Sequence, residues 1–289
     1  MKYIYFHLEC QRKIEDQISK IKKKKLIVTI LKNVFESLIP PRKKRVFFSS
    51  LRFNRKLLLA YADKVVKKES RVETTERLRE INALRKSGRA VTFICNHLSY
   101  ADSHVIETLF IRAGFPDLAH HVLHIAGQKT YHIFRRFMTR SLNTVRVYQP
   151  GARLDQQFKR KMNSRALKWA AHLKRRGYCV LVFPEGTRTR RGVRFNLHRA
   201  NPRTTIYFRH SSVVPMALMG SEKIMPVGRI LQRPATVSLR IGTPVDYDAM
   251  ESEFRTTNPD LSEKDVRSRL MLDFMNRINC LLDATYRDL

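Results

Sequence analysis

The 289-residue chain carries 57 Lys and Arg against 25 Asp and Glu, a formal net charge of +32 that excludes an acidic or neutral enzyme. With 43% hydrophobic and 28% charged residues, it holds too much apolar material for a disordered basic tail and enough to bury a core. So strong a positive charge must face something anionic: nucleic acid, an anionic membrane surface or a phosphorylated substrate.

Met1 to Glu9 lacks the basic, apolar and small-residue succession of a secretory signal. Leu26 to Ile39 is strongly apolar but is broken by Lys32, Asn33 and Glu36 and preceded by the run Lys22 to Lys25. It is too interrupted to span a bilayer. It reads either as a helix lying on the membrane with its lysines at anionic headgroups, or as an ordinary amphipathic helix packed on the protein. Up to residue 88 the pattern stays helical and basic, with Leu57, Leu58, Tyr61 and Val65, then Leu78, Ile81 and Leu84, at helix spacing and Ser87-Gly88 as the stop.

From Arg89 the pattern changes. Short β-rich runs are predicted at Ala90 to Cys95, His121 to Ala126, Thr144 to Tyr148, Tyr178 to Phe183, Val213 to Leu218 and Thr236 to Ile241. Helices are predicted near Ser103 to Arg112, Tyr131 to Arg140 and Ser164 to Arg176. This alternation implies an α/β fold, a mostly parallel mixed sheet flanked by helices, and divides the chain into a basic helical region (1–88) and a second domain (89–289). Ser262 to Tyr286, opening on a Ser-x-x-Asp cap, reads as a closing amphipathic helix with Val266, Leu270, Phe274, Ile278 and Leu281 on one stripe. The four cysteines, Cys10, Cys95, Cys179 and Cys280, are scattered and read as reduced thiols in a cytosolic setting.

Two stretches carry chemistry. The first β-run ends in Asn96-His97-Leu98-Ser99-Tyr100-Ala101-Asp102. On a continuous strand His97 and Asp102 would stand about 16 Å apart, so they meet only if the chain turns between them. With His97 in the loop after the strand and Asp102 in the first turn of the next helix, the carboxylate orients one imidazole nitrogen and leaves the other as a base. The bland alternative is a loop His beside a helix-capping Asp. The second stretch is Phe183-Pro184-Glu185-Gly186-Thr187-Arg188, directly after a predicted strand. Pro184 ends the ladder, Gly186 permits a tight turn close to a ligand, and Arg188 offers a planar fork to a phosphate, with Arg190, Arg191 and Arg194 deepening the field. Glu185 fits there as an orienter of Arg188 or of a substrate hydroxyl.

In this order Asn96-His97 with Asp102, then Phe183 to Arg188, then Val214-Pro215, resemble the signature blocks of the glycerol-3-phosphate and lysophosphatidate acyltransferases, over about residues 89 to 245. The resemblance implies that His97 takes the proton of a glycerol hydroxyl, whose oxygen attacks the thioester of an acyl-CoA or acyl-carrier protein. Asp102 is implied as its partner, and Glu185, Gly186, Thr187 and Arg188 as the phosphate and glycerol site. Gly127-Gln128-Lys129 and Thr144-Val145-Arg146-Val147 look similar to the family's intermediate basic block, which would add Lys129 and Arg146. Where the family has a Phe-Lys-x-Gly type stretch, this chain has Phe195-Asn196-Leu197-His198 running into Asn201-Pro202-Arg203.

The expected activity is therefore acylation of 1-acyl-glycerol-3-phosphate to phosphatidate, or else of glycerol-3-phosphate itself, by a peripheral protein on the cytoplasmic face of a membrane. No cofactor is expected. A relay through Cys95, Ser99 or Ser103 can be written, but Cys95 reads more simply as a small core residue. His120, His121 and His124 invite a metal, yet no carboxylate or Cys ligand stands at useful spacing, and a strand of mixed exposure is the simpler reading. Trp169, with Leu167, Ala170 and Leu173, reads as core. No phosphate loop or Gly-x-Gly-x-x-Gly is present. A nucleic-acid-binding protein has the charge alone in its favour, and a fold relative acting on an ornithine or sugar lipid would need no acceptor phosphate.

Overall fold

A computed structural model describes residue 28 and residues 45–288, apart from 132, 150, 190–193 and 229–230 and the side chains of 133–135. The expected helix at 26–39, apart from Val28, the Lys run before it, Cys10, Arg190 and Arg191 lie outside the described residues.

The centre is a mixed sheet. In chain order its strands are β1 (Phe47–Phe48), β2 (Arg71–Val72), β3 (Val91–Cys95), β4 (Val122–Gly127), β5 (Thr144–Val147), β6 (Cys179–Val182), β7 (Ser212–Met219), β8 (Ser238–Ile241) and β9 (Val245–Asp246). They lie in the spatial order β1-β5-β4-β6-β3-β7-β8-β2, with β9 also on β7. The five central strands β5, β4, β6, β3 and β7 are mutually parallel, and β1, β8 and β9 join them antiparallel. The six predicted strands correspond to β3 to β8, within a residue or two at most ends.

Helices cover both faces. On one lie α1 (Arg52–Val65), α2 (Thr75–Lys86), α3 (Asp102–Arg112), α4 (Pro116–His120) and α5 (Ile133–Ser141). On the other lie α6 (Gln156–Lys174), then, beyond the short α7 (Ser221–Ile224), α8 (Tyr247–Thr257) and α9 (Glu263–Leu281). The central strands alternate between the two cores: Val91, Phe93 and Cys95 pack toward α3, whereas Ile94 packs toward α6 and α9. That is the two-residue strand period expressed against apolar layers on both sides, which is why β3 and β6 read as continuous hydrophobic runs. The Ser-x-x-Asp cap is formed as expected: Ser262 Oγ accepts the Asp265 N–H at 3.2 Å and starts α9.

The boundary expected at residue 88 does not divide the sheet. β1 pairs with β5 and β2 with β8, and α1 packs on α3 and α5, so residues 45–88 build the outer strands and one flank of the same sheet. Their helical periodicity concealed two-residue strands too short to register as alternation. Trp169 departs from the core reading. It is 39% exposed on α6 and stacks on Phe47 with ring centroids 5.1 Å apart.

Candidate active site

Because β3, β4, β5, β6 and β7 are parallel, the loops after them emerge on one edge of the sheet, the edge where open α/β folds bind ligands. The β3 loop starts with a fully buried Asn96. Its amide donates to the Leu218 carbonyl at 2.8 Å and accepts the Leu218 N–H at 2.8 Å, so a side chain continues the β3–β7 ladder for one more step. The chain then turns, and His97 Nδ1 meets Asp102 Oδ2 at 2.8 Å.

Asp102, at the first position of α3, is cut off from solvent. Its Oδ2 also accepts the N–H groups of Leu98 at 2.8 Å and Ser99 at 3.0 Å, and Oδ1 accepts the Ser221 hydroxyl at 2.7 Å. These three donors fix the carboxylate, which in turn holds the proton of the imidazole on Nδ1 and leaves Nε2 with a free lone pair. The ring is flanked by Phe183, stacked at 4.3 Å, and by Tyr100, edge-on at 6.4 Å. The turn between His97 and Asp102 that the sequence required is present, and it brings the two side chains into hydrogen-bond contact.

The β6 loop is tied to the same histidine. Thr189 N–H donates to the His97 carbonyl at 2.9 Å, and Glu185 Oε1 accepts the His97 backbone N–H at 3.0 Å while Oε2 accepts the Thr189 hydroxyl at 3.3 Å. Glu185 is 5% exposed and burial pushes its carboxyl up, against the hydrogen bond from His97. It is therefore a strut between two loops, bonded to His97 and Thr189. Gly186 takes a positive φ of 65°, the turn expected of it. The Arg188 guanidinium lies over the Tyr100 ring, 3.6 Å from its centroid.

A cavity of about 830 Å³ opens on this edge, lined by His97, Tyr100, Gly186, Thr187 and Arg188 from these loops and by Lys129 from the turn after β4. Arg146 is not part of it. Its side chain lies 4% exposed against the rings of Phe48, Tyr131 and Tyr148, where burial lowers its pKa. On β5 it points into the packing between β1 and the 128–131 turn, a placement that two-residue β1 made invisible in the sequence.

The family profile described as Acyltransferase matches residues 69–228, more than half of the chain. The chain belongs to that family. The solved 1-acyl-sn-glycerophosphate (LPA) acyltransferase PlsC of Thermotoga maritima is similar to this acyltransferase at 20% identity and a TM-score of 0.42, over 79% of this chain and 88% of that one. Among curated proteins, none matches.

Two of the three nucleophiles near His97 are buried away from the cavity. Cys95 is wholly buried, and burial pushes its thiol well up. Ser99 is buried with its hydroxyl on the Met225 carbonyl at 3.3 Å. Ser103 alone of these lines the cavity. Among the described residues there is no cluster of three His, Cys, Asp or Glu able to hold a metal, and His124 instead bonds Glu107 at 2.7 Å, which also pairs with Arg55. The sequence reading missed Tyr100, although it sits between His97 and Asp102, because an aromatic in a loop gives no periodic signal. It likewise missed Lys159 and Arg160, which are two cations among many on α6.

Proposed function

We propose that this acyltransferase moves an acyl group from an acyl-CoA or acyl-carrier protein to the free hydroxyl of 1-acyl-glycerol-3-phosphate, forming phosphatidate. The observation that carries the reading is His97, held by Asp102 at 2.8 Å, lining one cavity with Arg188 and Lys129. His97 Nε2 accepts the hydroxyl proton as the oxygen attacks the thioester carbonyl. The tetrahedral adduct then expels the thiolate, which leaves with the proton from the imidazolium. Arg188 and Lys129 hold the acceptor phosphate, Arg188 as a fork and Lys129 as a point charge. Met138, Leu142, Leu167 and Ile206 give the same cavity apolar lining for an acyl chain.

The protein works at an anionic membrane surface, peripherally and from the cytoplasmic side. Its charge supports the meeting with an anionic surface. The test is product analysis: purified protein with labelled acyl-CoA or acyl-carrier protein and either lysophosphatidate or glycerol-3-phosphate. Labelled phosphatidate from lysophosphatidate is expected. A product from glycerol-3-phosphate alone moves the reaction to the first acylation, and no product from either acceptor overturns the reading.

A further inference from the structure

The cavity holds more positive charge than an acceptor phosphate calls for. Lys129, Lys159, Arg160, Arg188, Arg203 and Arg267 all line it, and no carboxylate lines it among the described residues. A phosphate monoester brings about two negative charges, which Lys129 and Arg188 match. Arg188 leans through Tyr100 toward the α3 face of the sheet, because Tyr100 packs on that core. The other four come from the opposite face. Lys159 and Arg160 lie on α6, Arg203 on the 3₁₀ turn 202–207, and Arg267 on α9.

Neutralisation on this wall is thin. Glu263, the carboxylate that pairs with Arg267, is shared with Arg209 and Arg255. Arg160 and Arg203 are exposed and have no carboxylate partner among the described residues. Lys159 is 5% exposed and donates to the Ala152 carbonyl at 3.3 Å. Cations gathered on one concave wall repel each other and raise the local concentration of an anion that fits there.

We infer that this wall is a second anion site, which holds the phosphate of the phosphopantetheine arm that carries the donor acyl group. The inference rests on the acyl-transfer reading above. It places donor and acceptor phosphates on opposite faces of the sheet edge, so the two substrates do not compete for one cationic site. Coenzyme A and carrier protein share this arm phosphate. Coenzyme A adds the phosphates of its nucleotide.

The experiment uses an Arg160→Gln/Arg203→Gln double variant, both sites being exposed, with Arg188→Gln as counterpart. Initial rates are measured with acyl-CoA, acyl-carrier protein, acyl-phosphopantetheine and acyl-pantetheine, which lacks the phosphate, at fixed lysophosphatidate. For the double variant, KM is expected to rise about tenfold for the three phosphorylated donors, with no change for acyl-pantetheine or for the acceptor. Arg188→Gln is expected to raise the acceptor KM instead. Titration with free coenzyme A reads the site without turnover, and the double variant should bind it about tenfold more weakly.

A rise for acyl-CoA but not for acyl-phosphopantetheine overturns the inference, because the nucleotide is then what the wall holds. So does an unchanged donor KM accompanied by weaker binding to anionic vesicles, which assigns these arginines to the membrane surface. In either case transfer by the wild type leaves the acyl-transfer reading standing. If the wild type transfers from no donor, that reading fails and this one with it.

Discussion

His97 receives three constraints from the chain: Asp102 on its ring, Glu185 on its backbone N–H and Thr189 on its carbonyl. On the proposed reading of His97 as the base, a general base contributes about 10²- to 10⁴-fold to the rate, so His97→Ala should lower kcat by that order while the fold, checked by circular dichroism, stays intact. Glu185→Gln keeps an oxygen for the His97 N–H, whereas Glu185→Ala leaves that donor without its partner. The Gln variant should therefore retain more activity in the same assay than the Ala variant. Tyr100 carries the Arg188 guanidinium on its ring, so on the proposed reading it positions the group that holds the acceptor phosphate. Loss of the ring in Tyr100→Leu should cost about 1 kcal/mol, read as a roughly fivefold rise in acceptor KM with kcat little changed, and Tyr100→Phe should restore it.

At the scale of the element, Asn96 binds the end of β3 to β7. Asn96→Ala removes two buried hydrogen bonds and leaves the Leu218 backbone unpartnered, a loss of about 2 to 4 kcal/mol in denaturant unfolding. α3 also carries His104, wholly buried with its Nε2 near Gln232, and burial pulls its imidazole from 6.5 down to about 4. Between those values the unfolded chain binds a proton that the folded one refuses, so stability must fall as pH falls through this window. From pH 7 to pH 5 the wild type should lose on the order of 2 kcal/mol more than His104→Asn, measured by urea unfolding at each pH.

For the whole molecule, the formal net charge of +32 has a consequence at a distance. Vesicles containing anionic lipid should bind the protein at about 0.05 M salt and release most of it near 0.5 M, where the screening length has fallen below the spacing of most surface charges. Sedimentation with the vesicles measures this, and uncharged lipid vesicles should bind little at either salt. Strong retention at high salt would point to an apolar anchor in place of charge.

The strands β3 to β8, the closing helix and the two chemical loops were legible in the chain because each rests on local rules: short β-rich apolar runs, a Ser cap, a Pro and a Gly at a turn. The His97–Asp102 pairing was also accessible, since five residues can bring those groups together only through a turn. Three placements were not accessible. Arg146 turned from the cavity toward Phe48, Glu185 became a strut for the His97 backbone, and Lys159, Arg160, Arg203 and Arg267 gathered on a single wall. Each depends on which distant strand or helix lies alongside. That neighbour is chosen by packing across the sheet, a sum over many weak contacts that no short window of residues contains.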